Sequence, residues 1–269
     1  MKHFFTAFLL ALGLSFCMPS AGGAAPRDSV IEKVVQRGTL RVGFSSFVPW
    51  AMQDKEGRYI GFEIDVAERL ASDLGVKLQL VPTSWDGIIP ALLSGKFDVI
   101  IGSMSITPQR LLSVNFSIPY DHAYVDLTLN KDKSGDINRL EDLNREGVVI
   151  AVRTGTTAAA AATKLFPKAS LRMFNDEAPA VEEVLSGRAH AFVSSAPLPA
   201  METLKHGDVL VQKFETGLAM QPVAFAVPKG DFDTLNVFDG WIRLVEEEGW
   251  LQERRDYWFK SDAWQSRLN

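Results

Sequence analysis

Cysteine occurs once in the 269 residues, at position 17, so there is no pair to close as a disulfide and no thiol cluster for redox chemistry. Histidine is nearly as scarce. His3, His122, His190 and His206 lie far apart and make no metal-ligand spacing. No run of Lys or Arg exists to track phosphates, and the formal net charge is −5, which argues against nucleic acid as a partner. No phosphate-cradling glycine loop or Ser/His/Asp set is visible either, so neither cofactor nor metal is expected. Only one long apolar run is present, from Phe4 to Met18. It falls short of the roughly 20 residues that a membrane-spanning helix needs.

That run follows Lys2 and His3 and precedes the small residues Ser20-Ala-Gly-Gly-Ala-Ala25. The pattern predicts a secretory signal over residues 1–25, cleaved after Ala25 or a nearby alanine, and hence a soluble exported protein. Cys17 falls inside the signal. Phe16 before it is bulky where a lipoprotein signal carries a small residue, so lipidation is not expected and the mature chain holds no thiol. With 46% hydrophobic residues, the remainder can build real cores and is long enough for two modest domains.

Strand-like and helix-like stretches alternate, which favours a largely parallel sheet in each domain. Strands are predicted over 40–44, 77–81 and 98–102, with helices over 62–74 and 85–93 between them. After Tyr120 the rhythm restarts. Strands are predicted over 148–152, 171–174, 189–193 and 209–213, and helices over 156–165, 178–185 and 197–205. A strand over 223–227 and helices over 234–247 and 251–259 complete the chain.

The most informative block is 83–120. Ser84 or Asp86 can cap a helix bearing Ile88, Ile89, Leu92 and Leu93 at helical spacing, and Gly95 ends it. The continuously apolar 98–102 then reads as a strand covered on both faces. Ser103, Ser105 and Thr107 follow at alternate positions, with Arg110 three residues on. A loop at the carboxyl end of a parallel strand is where open α/β sheets place ligands. Hydroxyls, backbone N–H groups and a planar guanidinium suit a small carboxylate there.

The segment Gly102-Ser-Met-Ser-Ile-Thr-Pro-Gln-Arg110, followed by Asn115-Phe-Ser-Ile-Pro-Tyr120, resembles the extracytoplasmic solute-binding proteins of polar amino-acid ABC transporters. Leu40-Arg-Val-Gly43 with Pro49, Gly61-Phe-Glu-Ile-Asp65, Gly155-Thr-Thr157 and the tail Glu248-Gly-Trp-Leu-Gln-Glu-Arg-Arg-Asp-Tyr-Trp-Phe259 agree with it in order and spacing. The likeness runs from about residue 30 to 260. It implies an α/β, two-lobed periplasmic-binding-protein fold of type II, each lobe a mainly parallel sheet flanked by helices. Lobe one would comprise residues 27–121 plus 221–269, and lobe two residues 127–216. Two crossings, near 121–126 and 217–221, would form the hinge.

The resemblance also implies roles. Arg110 would clamp a ligand α-carboxylate, with Ser105, Ser103 and the closely approachable Gly102 beside it. Thr157, at the start of a lobe-two helix, would offer its backbone N–H to the same carboxylate. Phe47 and Trp85 would sandwich the ligand side chain, while Trp50 belongs to the core and Thr107 to the turn before Pro108; Arg153 is a lesser candidate for the ligand, with solvent the favoured place for it. Two positions depart from the family. Ser195 stands where a carboxylate takes the ligand's α-ammonium, with no acid nearby other than Glu63. Phe44 stands where members that take basic amino acids often carry an acid. The expected function is therefore the monomeric periplasmic component of an ABC importer. It would close on an amino acid with an apolar or aromatic side chain and then dock on a membrane permease. A cyclohexadienyl dehydratase-like enzyme acting on prephenate or arogenate, and the binding module of a sensory system, are the alternatives.

Overall fold

The computed structural model describes residues 29–214 and 217–268. The expected secretion signal, Cys17 included, lies outside them.

The first sheet runs in the order Lys77–Pro82, Thr39–Phe44, Val99–Ile100, Ala226–Pro228, Val114–Phe116. Its first three strands are parallel, in register Val42 with Leu80 and Val99. The fourth comes from the far end of the chain and pairs antiparallel with both neighbours, which stitches the C-terminal segment into the N-terminal lobe. Leu40, Val42, Val99 and Ile101 are fully buried with Phe62 and Leu70 of the helix Phe62–Asp73 and Phe238 of the helix Phe232–Glu247. Two tryptophan N–H groups fasten the C-terminal helices to Phe62–Asp73. Trp258 donates to Asp65 at 2.7 Å and Trp241 to Asp73 at 2.8 Å.

The helix Val30–Arg37 was not foreseen, though its signals are present. Ser29 Oγ accepts from the Glu32 N–H at 3.2 Å while the Glu32 carboxylate accepts from the Ser29 N–H at 3.1 Å, and Gly38 closes the helix at φ +67°. The predicted helix over 85–93 begins only at Ile88, with Gly87 as its first flanking residue and no side-chain cap. Residues 85–87 form a turn instead, which leaves Trp85 outside the helix.

The second sheet has the order Leu210–Val211, Asp121–Asn130, Ala191–Ser195, Val149–Arg153, Ser170–Phe174. The last three strands are parallel; Asp121–Asn130 runs antiparallel to Ala191–Ser195. Its core is a separate cluster around Val125, Leu127, Ile150, Val152 and Val193, closed by Ala158, Ala159 and Ala162 of the alanine-rich helix Thr157–Leu165. The expected crossing near 121–126 is not an irregular linker. It is the start of the ten-residue strand Asp121–Asn130, which pairs antiparallel with Met220–Val223, Val223 opposite Asp121 and Met220 opposite Tyr124. The two passages between lobes thus form one hydrogen-bonded ribbon, a connection that can twist without unravelling. Among the described residues, no helix is long and apolar enough to cross a membrane.

Candidate functional site

Parallel strands deliver their carboxyl ends to one side of each sheet, and the loops that follow them meet between the lobes. From lobe one come Ser45 and Phe47, Trp85, Gly102, Ser103 and Ser105, and Arg110; from lobe two come Arg153, Thr156 to Ala158, Glu177, and Ser194 with Ser195. The cavity they enclose is about 30 Å³, room for a water or two. Anything as large as an amino acid enters only when the lobes part or these side chains turn.

Arg110 is set by its own short helix, where Thr107 Oγ1 accepts from the Arg110 N–H at 3.2 Å. This is the turn-capping role expected of Thr107. The guanidinium then donates to the Ser105 carbonyl at 2.8 Å and, across the cleft, to the Gly155 carbonyl at 3.1 Å. Burial without a carboxylate partner pulls its pKa down to about 10. It is a desolvated cation resting on neutral carbonyls, the state in which an arriving carboxylate is attracted most.

Gly155 turns the chain from strand Val149–Arg153 into helix Thr157–Leu165 at φ +73°, a backbone that suits glycine. Thr156, not Thr157, caps that helix, its hydroxyl accepting from the Ala159 N–H at 3.0 Å. Thr157 is the first helical residue, so its N–H belongs to the helix's anion-favouring end.

The expected aromatic walls are present in altered form. Phe47 lies parallel on Trp50 with ring centroids 4.4 Å apart, and Trp50 is buried as expected. Trp85 is a bridge more than a wall. Its N–H donates to the Gly155 carbonyl at 3.1 Å, and the guanidinium carbons of Arg110 and Arg153 stand 5.4 and 5.8 Å from its ring centroid. Phe44 does not reach the cavity. It is fully buried with Ala51 and Ile64, edge-on to Tyr59, because the strand's alternation turns its ring into the core; only its Cα and Cβ near Gly102. Glu63 does not line the cavity either. It is buried beneath Ser103 and accepts from the Tyr120 hydroxyl at 2.5 Å.

Two further side chains line the cavity. Arg153, expected in solvent, is only 3% exposed. It reaches from lobe two into lobe one, donating to Ser45 Oγ at 2.5 Å and the Ser46 carbonyl at 3.3 Å, and to the Asn175 carbonyl at 3.1 Å. Glu177 is an acid in the cavity wall that local sequence patterns do not mark. It begins the helix Glu177–Leu185, and one of its oxygens accepts from Ser194 Oγ at 3.1 Å. Burial raises its pKa to about 7, against the pull of Arg153. Alternation along strand Ala191–Ser195 was readable; the side-by-side order of three strands that carries Glu177 to Ser194 was not.

The cavity therefore offers two guanidiniums, several hydroxyls, a helix N-terminus and one carboxylate. That inventory suits a small ligand carrying at least one carboxylate and a group that can face Glu177.

Known proteins agree with this architecture. The profile of bacterial extracellular solute-binding proteins, family 3, matches residues 40–261. The chain is 28% identical over 237 residues to the L-cystine-binding protein TcyJ of Escherichia coli (strain K12), covering 88% of each. It is 26% identical to a cyclohexadienyl dehydratase of Pseudomonas aeruginosa, covering 87% of each. Among solved structures, the ancestral amino acid-binding protein AncCDT-1, a precursor of cyclohexadienyl dehydratase, is 41% identical. It superimposes with a TM-score of 0.78 over 86% of this chain and 99% of that one.

Proposed function

The chain belongs to the bacterial extracellular solute-binding proteins, family 3, and from that premise we propose that it is the solute-capturing component of an ABC importer for an amino acid. It is exported through the signal at residues 1–25 and works in the periplasm as a monomer, delivering its ligand to a membrane permease. Lobe one spans residues 27–121 and 221–269, and lobe two residues 127–216. The observation that supports this reading best is convergence. Arg110 and Ser105 of lobe one and the N-terminus of helix Thr157–Leu165 of lobe two face one cavity between two separately packed cores.

The ligand carboxylate binds first on lobe one, where Arg110 exchanges its carbonyl acceptors for an ionised one, next to Ser105, Ser103 and Gly102. The ribbon formed by Asp121–Asn130 and Met220–Val223 then twists, in the hinge closure known from periplasmic binding proteins. Closure brings the Thr157 N–H, Ser195 and Gly155 onto the ligand and shuts out water. Phe47, Trp85 and Ala158 favour an apolar or aromatic side chain, and Arg153 in the cavity wall disfavours a cationic one.

A second reading is a dehydratase on the same scaffold. The Pseudomonas relative supports it, as does Glu177, whose carboxyl, raised to about 7, is the kind of group that serves as a general acid. A thermal-shift screen of the mature protein against the twenty L-amino acids, opines, 2-oxo acids and prephenate separates the two. A ligand at 100 times its dissociation constant stabilises the fold by about 2.7 kcal/mol, a readily measured shift. Hits among amino acids support import; turnover of prephenate supports the enzyme.

A further inference from the structure

Resting on the amino-acid reading, we infer that Glu177 is the carboxylate that receives the ligand's α-ammonium, taking over the task that an acid at position 195 would perform. Three observations converge. First, among the described residues Glu177 is the one acid in the cavity wall. Second, its carboxylate is only half used: one oxygen accepts from Ser194 Oγ, and the other is shielded from solvent and has no hydrogen-bond partner among the described residues. A buried carboxylate oxygen left in that state is costly, and an ammonium presented from the cavity satisfies it. Third, the cation beside it acts on it through charge alone and gives it no hydrogen bond among the described residues. Arg153 spends its donors on Ser45, Ser46 and Asn175, and its nearest carboxylate is Asp176 at 3.7 Å.

The position is right as well. Ser194 adjoins Ser195 at the carboxyl end of strand Ala191–Ser195, so Glu177 brings its charge to that strand end from the neighbouring helix. Arg110 and Glu177 then face the two ends of a zwitterion from opposite lobes, and only a closed cleft engages both.

Binding is coupled to a proton. The charged groups facing Glu177 are Arg153, on the adjacent strand, and Asp176, its neighbour in the chain. With its carboxyl raised to about 7, Glu177 is partly protonated near neutrality, and an ammonium draws it into the ionised form. Amino-acid affinity therefore rises with pH up to about 7 and levels above it, with proton release on binding below that point.

The test pairs amino acids with their 2-oxo analogues: alanine with pyruvate, leucine with 4-methyl-2-oxopentanoate, phenylalanine with phenylpyruvate, glutamate with 2-oxoglutarate. Calorimetry on the mature wild-type protein, Glu177→Gln and Glu177→Gln/Ser195→Asp gives each affinity; thermal melting confirms that the variants fold. The expected result is a wild-type preference for at least one amino acid over its 2-oxo partner. Glu177→Gln lowers that amino acid's affinity roughly 30-fold or more and leaves the 2-oxo acid's unchanged or tighter. Ser195→Asp in the same background restores part of the preference. An undiminished preference in Glu177→Gln overturns the assignment while sparing the amino-acid reading. Binding of 2-oxo acids alone overturns both. If Glu177→Gln fails to fold, Glu177→Asp takes its place. A shorter acid keeps the pH dependence and weakens the preference, and an unaltered preference without pH dependence contradicts the assignment.

Discussion

The indole N–H of Trp85, in lobe one, donates to the backbone oxygen of Gly155, in lobe two, at 3.1 Å, and Arg110 donates to the same oxygen at the same distance. One carbonyl thus gathers two donors from the opposite lobe, on the only left-handed residue of the strand-to-helix turn between 153 and 157. The closed cleft is held by backbone geometry as much as by side chains.

Replacing Gly155 by alanine tests that geometry. The added Cβ would stand 3.7 Å from Trp85 Cδ1, an ordinary contact, so the cost lies in the φ of +73°. The variant should lose about 1 kcal/mol of stability in chemical denaturation, the usual penalty for a side chain in the left-handed region. An unchanged midpoint would show that the turn relaxes freely.

Trp85→Phe removes one lobe-bridging N–H and keeps an aromatic face. A neutral hydrogen bond contributes about 0.5–1.5 kcal/mol, so ligand affinity should fall about 3- to 10-fold by calorimetry, with little change in melting temperature. A stability loss matching the affinity loss would place Trp85 in the core instead of at the closure contact.

Glu63 should make the fold pH-sensitive. Burial lifts its pKa from 4.5 to about 8, opposed by the Tyr120 hydroxyl and aided by Asp121. The folded state therefore holds a proton that the unfolded chain has released. Stability from this group is complete below about 4.5 and is lost as pH rises through about 8, by on the order of several kcal/mol. Urea midpoints should fall between pH 5 and pH 8 in the wild type, and fall less in Glu63→Gln, which mimics the protonated acid. Asp121, Asp126 and Asp65 are also raised by burial, so the difference between the two proteins carries the test. Equal slopes would contradict the assignment to Glu63.

Alternation and helical spacing made the two sheets readable, because burial on both faces leaves continuous apolar runs such as Val99 to Ile101. The strand Asp121–Asn130 was hidden because its first half serves as the crossing and carries Asp121, His122 and Tyr124 among apolar residues. At the site, local motifs located Arg110, Ser105, Trp85 and Thr157, each beside a turn or cap that chemistry marks. The burial of Arg153, a lesser candidate expected in solvent, and the presence of Glu177 come from the other lobe and from strand order, which no local pattern records. Phe44 failed for a related reason: a residue at a strand end points either to the cleft or to the core, and only the neighbouring Tyr59 and Ile64 decide which.

The most direct measurement is calorimetric titration of the mature wild-type protein and of Arg110→Ala with each of the twenty L-amino acids. Capture by the interlobe site predicts saturable one-to-one binding of at least one of them, weakened by about 2–5 kcal/mol in Arg110→Ala because its carboxylate loses its charged partner. If none binds the wild type, the amino-acid reading fails; if the variant binds as tightly, the site between Arg110 and Gly155 is not where this protein holds its ligand.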